Sequence, residues 1–334
     1  MRVTVSVPGK VSLFGEHAVV YGEPALVAAI GKRLTVSVEG RSDKLIKIAA
    51  MDLQVPGVVL TYSEERPELI VEADYGKIVG AVGYVRKAIE TVSERLGKKG
   101  GVNVTIRSEM PVGAGLGTSA AVAVGTVAAY TLLMGEELSL GEIARLAHQT
   151  ELAVQGLASP MDTSVATYGG VLYIKPSAQQ TVEKLPINCE LPMVVGYSER
   201  EFRTSDLVRK VKALREAYPE IVLPTLQSIG RISERAKDAL ASGDLDTLGR
   251  LMNINHGLLD SLGVSSKSLN DMVYSARFAG AIGSKMTGAG GGGCMIALCP
   301  GREVEVSTAI RIVGGMPFRA AVSDQGLRVE SIES

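Results

Sequence analysis

The chain has 334 residues, enough for two domains or one large one around a substantial core. Its 35 basic and 36 acidic residues leave a formal net charge of −1, which gives no electrostatic footprint for nucleic acid and no basic run for anionic lipid. Three cysteines, Cys189, Cys294 and Cys299, are too few for a disulfide scaffold and fit a reducing, cytoplasmic compartment.

The chain opens β-rich, with strands expected over residues 3–7, 25–29 and 34–39. Alternation at the N-terminus reads as a strand rather than a signal peptide, because no uninterrupted apolar core follows Arg2. A helix follows over 78–96, closed by Gly97, and then a strand over 102–108. The apolar stretch 120–134 is broken by Gly125, Thr126 and Thr131. It falls short of the ~20 residues that span a bilayer and reads as a buried helix. Residues 139–156 carry a helix signal with Ser139 and Glu142 as a capping box and a stripe of Leu140, Ile143, Ala144, Ala147 and Val154. Strand-like sequence is expected over 165–174, and a linker or domain edge over 176–184. Beyond a strand at 193–197, helical patterns cover 205–217, 224–241, 245–262 and 266–280, and a β segment covers 295–298. Cys294 and Cys299 flank that segment and read as small core residues. Strands and helices mix without strict alternation, which predicts an α+β fold.

Two glycine runs stand out. In PVGAGLGTSAA at 111–121, Gly113, Gly115 and Gly117 allow positive φ and inward N–H groups. Thr118 and Ser119 sit at a helix entrance, where an anion is favoured and a hydroxyl can reach a phosphate-bound cation. A tight strand-to-helix turn would also use glycine here, but needs fewer of them. The run lacks the Gly-Lys-Ser/Thr of a Walker A loop, and Thr118 stands where a dinucleotide fingerprint needs its third glycine. The second run, KMTGAGGGGC at 285–294, contains G-x-G-x-x-G but leads into a strand-like segment, not a helix. Its backbone must pass close to a ligand or to the first loop.

Some charged residues need explaining. Glu151 falls on the apolar stripe of its helix, where a carboxylate is costly unless paired, metal-bound or reaching out from the stripe's edge. Asp162 follows Ser159-Pro160-Met161 and by itself reads as a turn or cap residue. Lys10, Glu16 and His17 lie among apolar residues and glycines in PGKVSLFGEHAVVY at 8–21. His148 and His256 fall on helical faces and receive no role, and no metal-ligand spacing is visible among the histidines.

Taken together, the runs at 8–21, 111–121 and 285–294, in that order and spacing, resemble the galactokinase, homoserine kinase, mevalonate kinase and phosphomevalonate kinase superfamily, the GHMP kinases. The resemblance covers nearly the whole chain. Gly-Glu-His-Ala-Val-Val-Tyr-Gly at 15–22 is similar to the mevalonate kinase branch, where a galactokinase would show Gly-Glu-His-Thr-Asp-Tyr. The stretch from Asn255 and His256 to Val264 is also similar to that branch.

The resemblance implies ATP-dependent phosphorylation of mevalonate, with Mg²⁺ as cofactor, no nucleic-acid or membrane partner, and a homodimer. It implies a ribosomal-protein-S5-domain-2-like N-terminal domain over 1–184, holding ATP and the catalytic groups, and a ferredoxin-like C-terminal domain over 185–334. ATP would lie on Pro111, Val112, Gly113, Ala114, Gly115, Leu116, Gly117, Thr118, Ser119, Ala120 and Ala121. Asp162 and Lys10 would be catalytic, Ser119 and Glu151 would bind the metal, and Lys10, Glu16, His17, Asp162 and Thr204 would face the substrate. Phosphoryl transfer needs positioning and charge stabilisation more than covalent help, which suits that set.

Thr118 replaces a common Ser and keeps the hydroxyl, whereas Ser159-Pro160-Met161 and Thr163 replace Pro-Ser-Gly-Val and Asn around the catalytic Asp. Those departures leave phosphomevalonate and homoserine open as substrates. A phosphorylated substrate would call on Arg200, Arg203 or Arg209. A catalytically silent metabolite sensor would have lost Asp162 or Lys10, and both are present.

Overall fold

Alternating apolar residues run into an unexpectedly long first strand. In the computed structural model, which describes all residues except 52–57, 63–68, 72–77, 112–113, 157, 177–180 and 203, β1 covers Arg2–Phe14. The first motif is therefore half strand, and its Lys10 and Ser12 sit on sheet backbone. A short 3₁₀ turn, Ala18–Tyr21, leads to β2 (Ala25–Arg41), which joins the two separately expected strands into one. The β1–β2 register shifts between Pro8 and Gly9, where an irregularity lets the long ladder bend.

Next come β3 (Ile46–Met51), β4 (Val58–Tyr62) and β5 (Leu69–Val71), then α1 (Ile78–Leu96) and β6 (Gly101–Ser108). α2 (Thr118–Leu133) is buried almost all round, as its apolar sequence requires. It packs against α1, β1, β2 and α3 (Leu140–Gln155). The capping box of α3 forms as expected, with Ser139 accepting from Glu142 N–H and Glu142 reaching back. The expected stripe is corrected at its ends: Leu140 and Val154 are exposed, while Ile143, Leu146, Ala147, Thr150 and Glu151 are buried.

The strand expected over 165–174 divides into two elements. Pro160–Tyr168 is helix α4, with Ser159 as N-cap and Pro160 in its first turn, and only Val171–Lys175 is a strand, β7. The expected linker is also corrected in part: Thr181–Leu185 is strand β8, paired with β7 as a hairpin, while 177–180 lie outside the described residues. One long strand, β2, serves two neighbours. Its first half pairs with β7 and its second half with β6.

The second half begins with β9 (Met193–Ser198), followed by α5 (Thr204–Ala217), α6 (Pro219–Ser242), α7 (Leu245–Ser261) and α8 (Lys267–Phe278). Then come β10 (Gly283–Met286), β11 (Gly293–Leu298), α9 (Glu303–Ile312), β12 (Met316–Ala320) and β13 (Arg328–Glu333). Strands β9 to β12 form an antiparallel sheet in the order β10–β11–β9–β12. Taking the α5–α8 run as one helical layer, this is the β-α-β-β-α-β connectivity of a ferredoxin-like layer. β13 leaves that half and pairs with β1, so the first sheet reads β13–β1–β2–β6–β3–β4–β5, with β7 and β8 off β2. Mixed helices and sheets in two packed halves are the α+β architecture the sequence predicts. Among the described residues, no helix is long and apolar enough to cross a membrane.

Candidate active site

A cleft of about 440 Å³ opens between the two halves. β1 and the turn after it supply Lys10, Ser12, Glu16 and His17, and α2 supplies Thr118 and Ser119. Glu151 comes from α3, Asp162 from α4, Thr204 from α5, and Gly288 and Ala289 from the second glycine run.

Lys10 Nζ lies 3.0 Å from Asp162 Oδ1 at the cleft wall. Two features place them there. Lys10 N–H donates to Leu116 O at 2.8 Å, which ties β1 to the first glycine loop. Gly117, at φ +77° and N-cap of α2, leaves room for the Lys10 stem, because a Cβ there would sit 2.7 Å from Lys10 Cγ. Asp162 stands in the first turn of α4, where the helix N-terminus favours a carboxylate.

Glu151 is 3% exposed, so it does not reach out to water from the edge of its helix. Ser119 Oγ donates to its Oε1 at 3.3 Å. Burial first, and then the nearby Asp162 charge, push the Glu151 carboxyl up to about 8. A cation bound beside this carboxyl would favour its charged form. Beside it Thr118 Oγ1 is buried without a hydrogen-bond partner. The Glu151 carboxylate and the Ser119 and Thr118 hydroxyls are hard oxygen donors, a set that suits Mg²⁺. Among the described residues no three His, Cys, Asp or Glu side chains converge as a metal cluster, so a cation here would take further oxygens from the nucleotide phosphates.

His17 is the one non-glycine residue at positive φ, +61°, among those described. It is 6% exposed, and its Nε2–H donates to Ala289 O at 2.9 Å, which ties the first motif to the second glycine run. Burial lowers its basicity. Glu16 forms an ion pair with Lys285, and both side chains are fully buried. Thr204 Oγ1 accepts from Arg200 Nη1 at 2.9 Å. The second glycine run passes the first loop, as one of the two expectations had it: a Cβ on Gly293 would stand 3.1 Å from Ala114 O.

The structure thus brings Lys10, Glu16, His17, Ser119, Glu151, Asp162 and Thr204 to one cleft, with Gly115, Gly117 and Thr118 of the loop. Pro111, Ala114, Leu116, Ala120 and Ala121 are not on its wall; the last four are buried behind it, and Val112 and Gly113 lie outside the described residues. Of the three arginines, Arg200 lines the cleft, Arg209 is exposed beside Asp206, and Arg203 lies outside the described residues. Sequence reasoning missed Ser12, Tyr84 and Gln155 on the wall. Ser12 shares a strand face with Lys10, but a serine in a strand carries no signal of its own, and Tyr84 and Gln155, hydrogen-bonded to each other, carry no motif.

Two family models match the chain: GHMP kinases N terminal domain over residues 83–170, and GHMP kinases C terminal over residues 236–314. A mevalonate kinase of Thermococcus onnurineus is 52% identical over 339 residues, covering 99% of each chain. One of Pyrococcus furiosus is 49% identical over 338 residues at the same coverage. Among solved structures, mevalonate kinase of L. major in complex with R-mevalonate superposes with a TM-score of 0.81 at 25% identity, covering 95% of each chain.

Proposed function

The chain belongs to the GHMP kinase family, and on that premise we propose that it transfers the γ-phosphoryl group of ATP to the primary hydroxyl of mevalonate, giving 5-phosphomevalonate. The observation that carries the chemistry is the Lys10–Asp162 pair at 3.0 Å on the wall of a cleft whose other wall is a glycine loop. Full-length relatives at about half identity carry the substrate.

The N–H groups around Gly115 and Gly117, with the N-terminus of α2, cradle the nucleotide phosphates. Glu151 and Ser119 would hold Mg²⁺, which neutralises phosphate charge when bound. Asp162 accepts the hydrogen bond of the attacking hydroxyl and aligns its oxygen with the phosphorus. Lys10 stabilises the charge that develops as the hydroxyl loses its proton. Glu16, His17 and Thr204 hold the rest of the substrate, with Arg200 beside Thr204 as a cation for its carboxylate.

Sheet membership supports a division of the chain near residue 184, with β13 returning to the first sheet. A homodimer would cover exposed Phe278 and Ile312 on the neighbouring helices α8 and α9. Free Cys294 and Cys299, both buried, suit a cytoplasmic setting.

The test is ATP consumption over a panel of mevalonate, homoserine and galactose. Turnover with mevalonate supports the reading, turnover only with another alcohol moves the chain to another branch, and silence with all three favours a sensor.

A further inference from the structure

Strand alternation in β1 sends Val11 and Leu13 into the main core and Lys10 and Ser12 toward the cleft. Lys10 finds Asp162, but the Ser12 hydroxyl finds nothing. Ser12 is 1% exposed, and its Oγ is buried without a hydrogen-bond partner. Its backbone is held firmly: Ser12 N–H donates to Thr287 Oγ1 at 2.8 Å, and Thr287 Oγ1 donates to Ser12 O at 3.0 Å.

Four residues on, Glu16 presents a second unpartnered atom. Lys285 pairs with its Oε1 and donates also to Met286 O at 2.7 Å, while Glu16 Oε2 is buried and unbonded. A buried ion pair does not repay its desolvation by attraction alone. Its evident effect here is to fix one carboxylate oxygen at a cleft wall. Leaving such an oxygen and a serine hydroxyl both unsatisfied is unfavourable, so a ligand is the natural partner.

The chemistry of the two atoms narrows what that ligand carries. A carboxylate oxygen only accepts, which turns away a carboxylate or phosphate group. A serine hydroxyl donates and accepts. Together they match a group that does both, a hydroxyl. The reacting hydroxyl is already assigned to Lys10 and Asp162. We infer that Ser12 Oγ and Glu16 Oε2, the latter positioned by Lys285, form a subsite that reads a second, non-reacting hydroxyl on the substrate. The inference rests on the mevalonate reading, where this group is the tertiary 3-hydroxyl.

The test compares mevalonate with 5-hydroxy-3-methylpentanoate, which lacks only that hydroxyl. A site built to bond a hydroxyl rejects the analogue without it, so the native protein should prefer mevalonate by roughly 10³-fold or more in kcat/KM. Ser12→Ala should narrow that preference about tenfold, and Ser12→Thr, which keeps the hydroxyl, should restore most of it. A general structural fault would lower both substrates together and leave the ratio unchanged. An unchanged ratio in Ser12→Ala, or equal use of both substrates by the native protein, overturns the subsite while the kinase reading stands. Failure of the native protein to use mevalonate overturns both.

Discussion

Lys10 and Asp162 come from distant parts of the chain and meet at 3.0 Å because β1 and α4 converge on one cleft. Asp162→Asn keeps the size and loses the charge. It should lower kcat by about 10²–10⁴-fold, with ATP affinity changed little, as read by turnover and nucleotide titration. Glu151 carries a different prediction. Its carboxyl sits near 8 through burial and the Asp162 charge, so protons compete with a cation below that pH. Half-saturating Mg²⁺ should rise as the pH is lowered from about 8 toward 6, and Glu151→Gln should raise it about tenfold or more and remove that pH dependence. Glu151 stood out in the sequence as a charge on an apolar stripe, whereas Asp162 by itself read as a turn or cap residue and was singled out only by the resemblance. Ser12 did not stand out, because serine in a strand is ordinary and only its lack of a partner, a three-dimensional fact, marks it.

At the scale of elements, capping chemistry reads well and short helices read badly. The α3 capping box was visible in Ser139 and Glu142 and forms. α4 was hidden because its nine residues are too few to establish a helical period, and Thr163, Val165 and Thr167 imitate strand alternation. The N-cap Ser159 and the proline after it were the better signal. α7 also holds more than its periodicity suggested. His256 Nδ1 accepts from Met286 N–H at 3.3 Å, and its Nε2–H donates to Asn270 Oδ1 at 3.1 Å, so the ring is neutral. Burial, then Arg277 and Lys285, lower it to about 4. A histidine near 6.5 when unfolded and near 4 when folded contributes stability above 6.5 that is lost as pH falls toward 4. That loss is on the order of 3 kcal/mol. Unfolding midpoints measured between pH 7 and 4 should drop, and His256→Gln should flatten part of the slope. An identical slope in that variant would show that His256 does not carry it.

For the whole molecule, two glycine runs far apart in sequence meet beside the candidate cleft, where a Cβ on Gly293 would stand 3.1 Å from Ala114 O. Their spacing could be read, and their close approach was one of the two expectations for the second run. The return of β13 to β1 was illegible, since pairing between chain ends leaves no local signature. The division into two domains came from the resemblance, since length alone allowed two domains or one large one, and the expected linker contains strand β8. What the molecule does as a whole is tested most directly by giving it ATP with mevalonate and, separately, with 5-phosphomevalonate, and identifying the products by phosphorus NMR. The account predicts rapid appearance of a single phosphomonoester on the primary carbon of mevalonate and no diphosphate from phosphomevalonate. Diphosphate formation from phosphomevalonate, with mevalonate left untouched, would contradict it.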